Sequence, residues 1–191
     1  MPTDIDMASN ALLLIGDNPI SSFTEPGAGA EVAAAIYPET YKKVLSEHPW
    51  SFALKEQQLS RLTSEPDDKT GYQYAYQAPT DMIRLWAIMP WSNYVIIGDL
   101  IYSNENDLLA RYVYNVSETA LPPHVVIAVQ YKLASDFAIS ITESNSKSEL
   151  YEAKYRNALA HARTIDSQGR PQESIIDSPF VDVRFSGRGL Y

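Results

Sequence analysis

The sequence predicts an α+β fold: a four-helix bundle built from the two ends of the chain, a small antiparallel β region inserted between them, and an extended C-terminal arm. Three observations lead there. Apolar residues recur at helical spacing in residues 1–49 and again in 118–168. Between them, residues 50–117 switch to short apolar or alternating runs broken by turn residues. The last stretch, 169–191, has no turn signal that folds it back on itself. Helices segregated from strands are the mark of α+β architecture.

The first helix is predicted within "PTDIDMASNALLLIGDNPI". Thr3 caps it, and Asp4 and Asp6 sit well in a first turn against the helix dipole. Met7, Ala11 and Leu14 fall at helical spacing, Leu12, Leu13 and Ile15 widen the apolar face, and Gly16 and Pro19 stop it. A loop leads to "EVAAAIYPETYKKVLSEHPW", where Ile36, Tyr37, Tyr41, Val44 and Leu45 form the apolar side of a second helix. Pro38 is expected to kink this helix or divide it in two, and Pro49 to end it.

From Trp50 the pattern changes. A strand is expected in "WSFALKEQQLSRL", another in the alternating "YQYAYQ", and a third in "MIRLWAIM". "YVIIGDLIYSN" holds two short runs split by Gly98-Asp99, a hairpin-turn dipeptide. "LLARYVYNV" completes a single small antiparallel sheet rich in tyrosine. Helix resumes after the prolines of "LPPHVVIAVQYKLASDFAISITES". Its stripe of Val126, Val129, Leu133, Phe137 and Ile141 is too broad for a solvent-facing helix. Ser146 with Glu149 reads as a capping box opening the fourth helix, along which Tyr151, Tyr155, Ala158 and Ala162 recur before Gly169 and Pro171 close it.

Composition narrows the function. The chain has 191 residues, 45% hydrophobic and 20% charged, which is ordinary for a globular protein. Its net charge of −9 argues against a protein that grips nucleic acid by neutralising phosphates. The absence of cysteine excludes disulfides, thiolate metal sites and a Cys nucleophile. No basic residue precedes Lys42, so no secretory leader is expected, and runs such as "ALLLI" are too short to cross a bilayer.

Little in the chain nominates catalysis. His48, His124 and His161 lack ligands at metal spacing and read as structural or surface histidines. No Ser–His–Asp set has a supporting motif. "GAGA" (residues 27–30) lacks the Lys-Ser/Thr of a phosphate loop, and Asn115-Val116-Ser117 is a chance match to a glycosylation acceptor. Asp67, Asp68, Asp99, Glu105 and Asp107 read as solvated loop charges, although a glycosidase pair is set by distance in space and not by sequence spacing. No cofactor is expected. Tyr72, Tyr74, Tyr76, Tyr94 and Tyr102, with Tyr112 and Tyr114, are either core or an interface that is apolar in body and wet at the tip.

Four stretches, "ALLLIGDNPISSF", "YKKVLSEHPWSFALK", "YQYAYQAPTDMIRLWAI" and "LPPHVVIAVQYKLASDFAISIT", in this order and spacing, resemble the tail tubular protein A family. These are head-to-tail adaptors of short-tailed bacteriophages. The resemblance covers essentially the whole chain. It implies a virion protein, assembled in the host cytoplasm, that forms a dodecameric ring under the portal protein. Tail tubular protein B, the nozzle, docks below, tail fibres attach nearby, and double-stranded DNA passes through without sequence-specific contact. No membrane is involved. It also implies an arm that reaches toward the portal. Phe180, Val181, Val183 and Phe185 would fill portal grooves, with Arg184 and Arg188 paired to carboxylates. The same arm can instead pack on its own bundle or stitch one adaptor to the next. The rival expectation is a carbohydrate-active or glycan-binding virion protein that uses the β region.

Overall fold

The computed structural model describes residues 2–63 and 71–169, and residues 170–191 of the arm lie outside them. Helix α1 spans Asp4–Ile15, α2 Ala28–Ser46, α3 Pro123–Thr142 and α4 Asn145–Gln168. Strands β1 (Leu54–Gln58), β2 (Tyr74–Gln77), β3 (Met82–Met89), β4 (Tyr94–Ile97), β5 (Leu100–Ser103) and β6 (Leu109–Tyr114) lie between the two helical halves. The protein is α+β, as the segregation of patterns predicts.

Local chemistry sets the ends of α1. The Thr3 hydroxyl accepts from the Asp6 amide at 3.1 Å, and the Asp6 carboxylate accepts from the Thr3 amide at 2.8 Å, a reciprocal capping box. Gly16, at φ +89°, closes the helix in the left-handed region. Its buried face is Met7, Ala8, Ala11, Leu12 and Ile15, while Leu13 and Leu14 face outward.

Helix α2 runs unbroken through Pro38, so the expected division into two does not occur. Pro38 and Ala34 both lie on the exposed face, where water can hydrate the Ala34 carbonyl that loses its partner. For α4 the cap sits two residues earlier than expected. Ser144, not Ser146, accepts from the Lys147 amide, because the left-handed Glu143 ends α3 and lets the next helix start at once.

Helix α3 is the spine of the bundle and packs against α1, α2 and α4. With 20 residues and a mean hydropathy of 1.3, it has the length and composition to cross a bilayer, unlike the short runs weighed in the sequence. Here more than half of that segment is buried in protein. Val125, Val129, Leu133 and Phe137 meet Met7, Leu12, Leu45 and the fully buried Trp50. The Trp50 indole donates to the Val44 carbonyl at 3.3 Å.

The strands form two three-stranded antiparallel sheets, β1-β6-β3 and β2-β5-β4, instead of the expected single sheet. Pro90 follows β3 and cannot donate to a ladder, and residues 91–93 carry the chain away before β4 begins. Strand β6 joins the two halves of the molecule. Val113 enters the helical core, while Ala110 and Tyr112 point to a second core with Tyr76, Ile101 and Leu108.

Candidate interaction surface

The hairpin of β4 and β5 turns at Gly98-Asp99, as the dipeptide predicts. Ile97 pairs with Leu100, and Gly98 takes φ +59° while Asp99 stays out of the positive region. That is a primed two-residue turn with glycine first. Register puts Tyr94 and Ile96 on the same face as Ser103 and Ile101, and therefore as Tyr74 and Tyr76. Ile101 is wholly buried, yet its neighbour Ile96 is 42% exposed. The core face of this sheet runs past its own edge into solvent.

Around that edge lies a ridge of large apolar side chains. Trp86 on β3, Trp91 in the connection, and Tyr94, Ile96 and Ile97 on β4 are all exposed, with Trp91 at 95%. A groove of about 260 Å³ runs between Trp86, Ile88, Trp91 and Tyr94. Scattered single apolar residues are common on surfaces, but five within twelve residues on one hairpin and its approach form a patch of the kind that takes a partner.

The tyrosines divide. Tyr94 belongs to the ridge. Tyr72, Tyr74 and Tyr102 are half-buried, and the Arg61 guanidinium stacks 4.3 Å from the Tyr74 ring centre. Tyr76 is a core residue and not an interface aromatic. It faces the second core, and its hydroxyl is used up on the Glu105 carbonyl. Tyr112 is also core, its hydroxyl 3.0 Å from Gln57 Oε1 and 2.9 Å from Asp81 Oδ1. Burial, with the Asp81 carboxylate beside it, raises its pKa. The sequence reading missed Trp86, Trp91, Ile96 and Ile97. The available signal was two tryptophans five residues apart without an alternating polar partner, but short apolar runs look alike whether they are core or exposed. Phe180, Val181, Val183, Arg184, Phe185 and Arg188, and also Asp67 and Asp68, lie outside the described residues.

One polar cluster has the residue types of a nucleophilic triad in a different order. His48 Nε2 lies 3.3 Å from Asp166 Oδ2, and Ser51 donates to Asp166 Oδ1 through its hydroxyl at 2.6 Å and its amide at 2.9 Å. In a nucleophilic triad the histidine must stand between serine and aspartate to take the hydroxyl proton. Here the aspartate stands in the middle. The cluster is a clasp that ties the end of α4 to the short 3-10 turn Ser51–Ala53 that precedes β1. Asp99 and Glu105 sit beyond opposite ends of β5, Asp99 in the hairpin turn and Glu105 in the loop that leads to β6. Among the described residues no group of three or more His, Cys, Asp or Glu side chains is arranged to hold a metal ion.

A second concavity, about 340 Å³, lies beside α2 and is lined by Phe23, Tyr37, Tyr41, Lys42, Asn115 and Glu118. Tyr37 and Tyr41 stack with 7° between their rings. Burial and the Glu118 carboxylate push both phenols well above their ordinary range, so they remain donors. The Tyr41 hydroxyl donates to the Val116 carbonyl at 2.9 Å, joining α2 to the segment after β6. No protein-family model matches the chain, and no curated protein matches it significantly.

Proposed function

We propose that the protein is a structural subunit of a short-tailed phage virion: the adaptor that forms a ring between the portal and the tail nozzle. The observation that carries this reading is the exposed aromatic and aliphatic ridge of Trp86, Trp91, Tyr94, Ile96 and Ile97 on a hydrogen-bonded scaffold. A surface of that size is stable in solution only at a cost, which assembly removes by burying it. The order and spacing of the four stretches that resemble tail tubular protein A support the same reading, as does a bundle made from both ends of the chain with a β insertion.

The mechanism is assembly and not turnover. Each contact is modest, and repetition around a ring makes docking effectively irreversible through avidity. A charge of −9 per subunit suits a wall past which DNA slides, because it repels the phosphate backbone. The portal protein above, tail tubular protein B below and tail fibres at the rim are the proposed partners, and no cofactor takes part.

The test is light scattering on the full chain and on a version cut after Gln168, each with and without a portal ring from the same virion. Full-length subunits of 21.4 kDa should add roughly 260 kDa to the portal, and the cut version should fall short of that complete complement. Failure of the full chain to join the portal would overturn the reading. One observation favours a second reading, glycan binding by the β region: Trp91, almost fully exposed beside the groove, presents an open ring face for a sugar. Quenching of tryptophan fluorescence by host-surface oligosaccharides, lost in Trp91→Ala, would support it. Unchanged fluorescence would remove it.

A further inference from the structure

Among the described residues four strands lie at the outer edges of the two sheets, and three of them are guarded. Strand β1 carries Lys55 and Glu56. Strand β3 carries Arg84 and two register shifts, and bulges and charges both blunt an edge. The outer side of β2 is already occupied: the Leu62 amide donates to the Ala75 carbonyl at 2.8 Å and the Gln77 amide to the Ser60 carbonyl at 3.1 Å. Strand β4, Tyr-Val-Ile-Ile, has no charge, no proline and no register shift, and among the described residues it pairs on one side only.

The hydrogen-bond phase identifies which groups are unpaired. The Ala78 amide donates to the Asp99 carbonyl at 2.9 Å, so Asp99 and Ile101 direct their backbone groups toward β2. By alternation Leu100 and Tyr102 direct theirs toward β4, where they meet Ile97 and Val95. The amides and carbonyls of Tyr94 and Ile96 therefore point outward, from the same residues whose side chains carry the core face past the edge. This edge offers both a ladder and an apolar surface to continue.

We infer that the β4 edge of one copy receives residues 180–185 of a neighbouring copy's arm as an added strand. The inference rests on the ring reading above and names the arm's receptor within it. The segment Phe-Val-Asp-Val-Arg-Phe fits such an edge. Val181, Val183 and Phe185 alternate onto one face, where they cover Tyr94 and Ile96, while Asp182 and Arg184 turn to the other. A large ring such as Phe180 or Phe185 suits the adjacent groove of Trp86 and Trp91. Asp99, exposed at the hairpin tip, supplies a counter-charge for the arm's arginines. The arm leaves α4 just after the Asp166 clasp, and about eleven residues separate Gly169 from Phe180, a reach of roughly 36 Å. Arm and edge are different surfaces of one chain, so their union is head-to-tail, the kind of contact that closes a ring.

The chain has no cysteine, which makes cross-linking unambiguous. Ile96→Cys is combined in turn with Val181→Cys, Val183→Cys or Phe185→Cys, and each full chain is oxidised both alone and bound to the portal ring. The expected result is a thiol-reversible ladder of covalent multimers for at least one pair on non-reducing gels, and its loss when Tyr94→Lys is added. Disulfides confined to single chains would overturn the inference, because the arm would then serve its own edge. Complexes that form on the portal without any cross-link would overturn it too, and would leave the adaptor reading standing. Absence of portal complexes counts against the adaptor reading itself, while a ladder in the free protein still supports strand exchange.

Discussion

Replacing Lys132 with methionine probes the bundle at its most polar point. The Lys132 ammonium is buried on α3 and lies 2.8 Å from Asp136 Oδ1 and 3.0 Å from Glu152 Oε2. Thr40 of α2 donates to the other oxygen of Asp136 at 2.9 Å, so three helices meet there. Burial alone would lower the lysine's pKa, but the hydrogen bonds to the two carboxylates outweigh it and the net shift is upward. Burial would likewise raise Glu152, and the bond from Lys132 outweighs it, leaving the carboxyl below its ordinary 4.5. Methionine keeps the packing of the stem and removes both charge-assisted bonds, each worth roughly 1.5–3 kcal/mol. Asp136 and Glu152 keep 28% and 30% of their side-chain surface exposed. Water can therefore rehydrate them, and the net loss is about 3 kcal/mol. For a chain of this size that lowers Tm by roughly 6–12 °C. The pH dependence carries a sign. Glu152 is depressed in the folded state, so its contribution is full above its unfolded pKa and is lost as pH falls through the folded one. The Tm gap between wild type and Lys132→Met, followed by circular dichroism, should narrow from neutral pH to about pH 3. A gap of the same size at both pH values, or no gap at neutral pH, would refute the argument.

Three further outcomes are expected. Asp166→Ala removes the acceptor of both Ser51 bonds and the partner of His48, and should cost about 2–4 kcal/mol, read as a lower urea midpoint at unchanged slope. Gly98→Val forces a β-branched side chain into a φ of +59° and should cost about 1–2 kcal/mol by the same assay. Trp91→Ala removes a side chain that is 95% exposed, so stability should stay within about 0.5 kcal/mol while association of one copy with the next weakens, measured by co-sedimentation with the portal ring.

Much of the fold was legible because its signals are local. The Thr3 cap, Gly16 and the Gly98-Asp99 turn depend on neighbouring backbone and stand where the residues say. The division expected at Pro38 fails because a proline's cost depends on which face of the helix it occupies, and helical period alone placed it within the pattern without saying that Ala34 is exposed. The division into two sheets depends on how β6 pairs with both β1 and β3, a long-range choice that no short window contains. The exposed apolar ridge was the least legible part. "MIRLWAIMPWSNYVII" reads as buried because apolar runs usually are, and only the pairing partners reveal that Ile101 is inside while Ile96 is at an open edge. Tyr76 and Tyr94 differ in the same way: similar sequence context, opposite environments.

The central claim is that this chain works as a ring-forming adaptor, and the most direct measurement is electron microscopy of the full chain assembled with the portal and nozzle proteins of its virion. The expected image is a single ring of twelve subunits between the two, with the arm of each copy on the β region of the next. Individual subunits scattered on the outside of the portal, or a complete portal–nozzle junction formed without this chain, would contradict it.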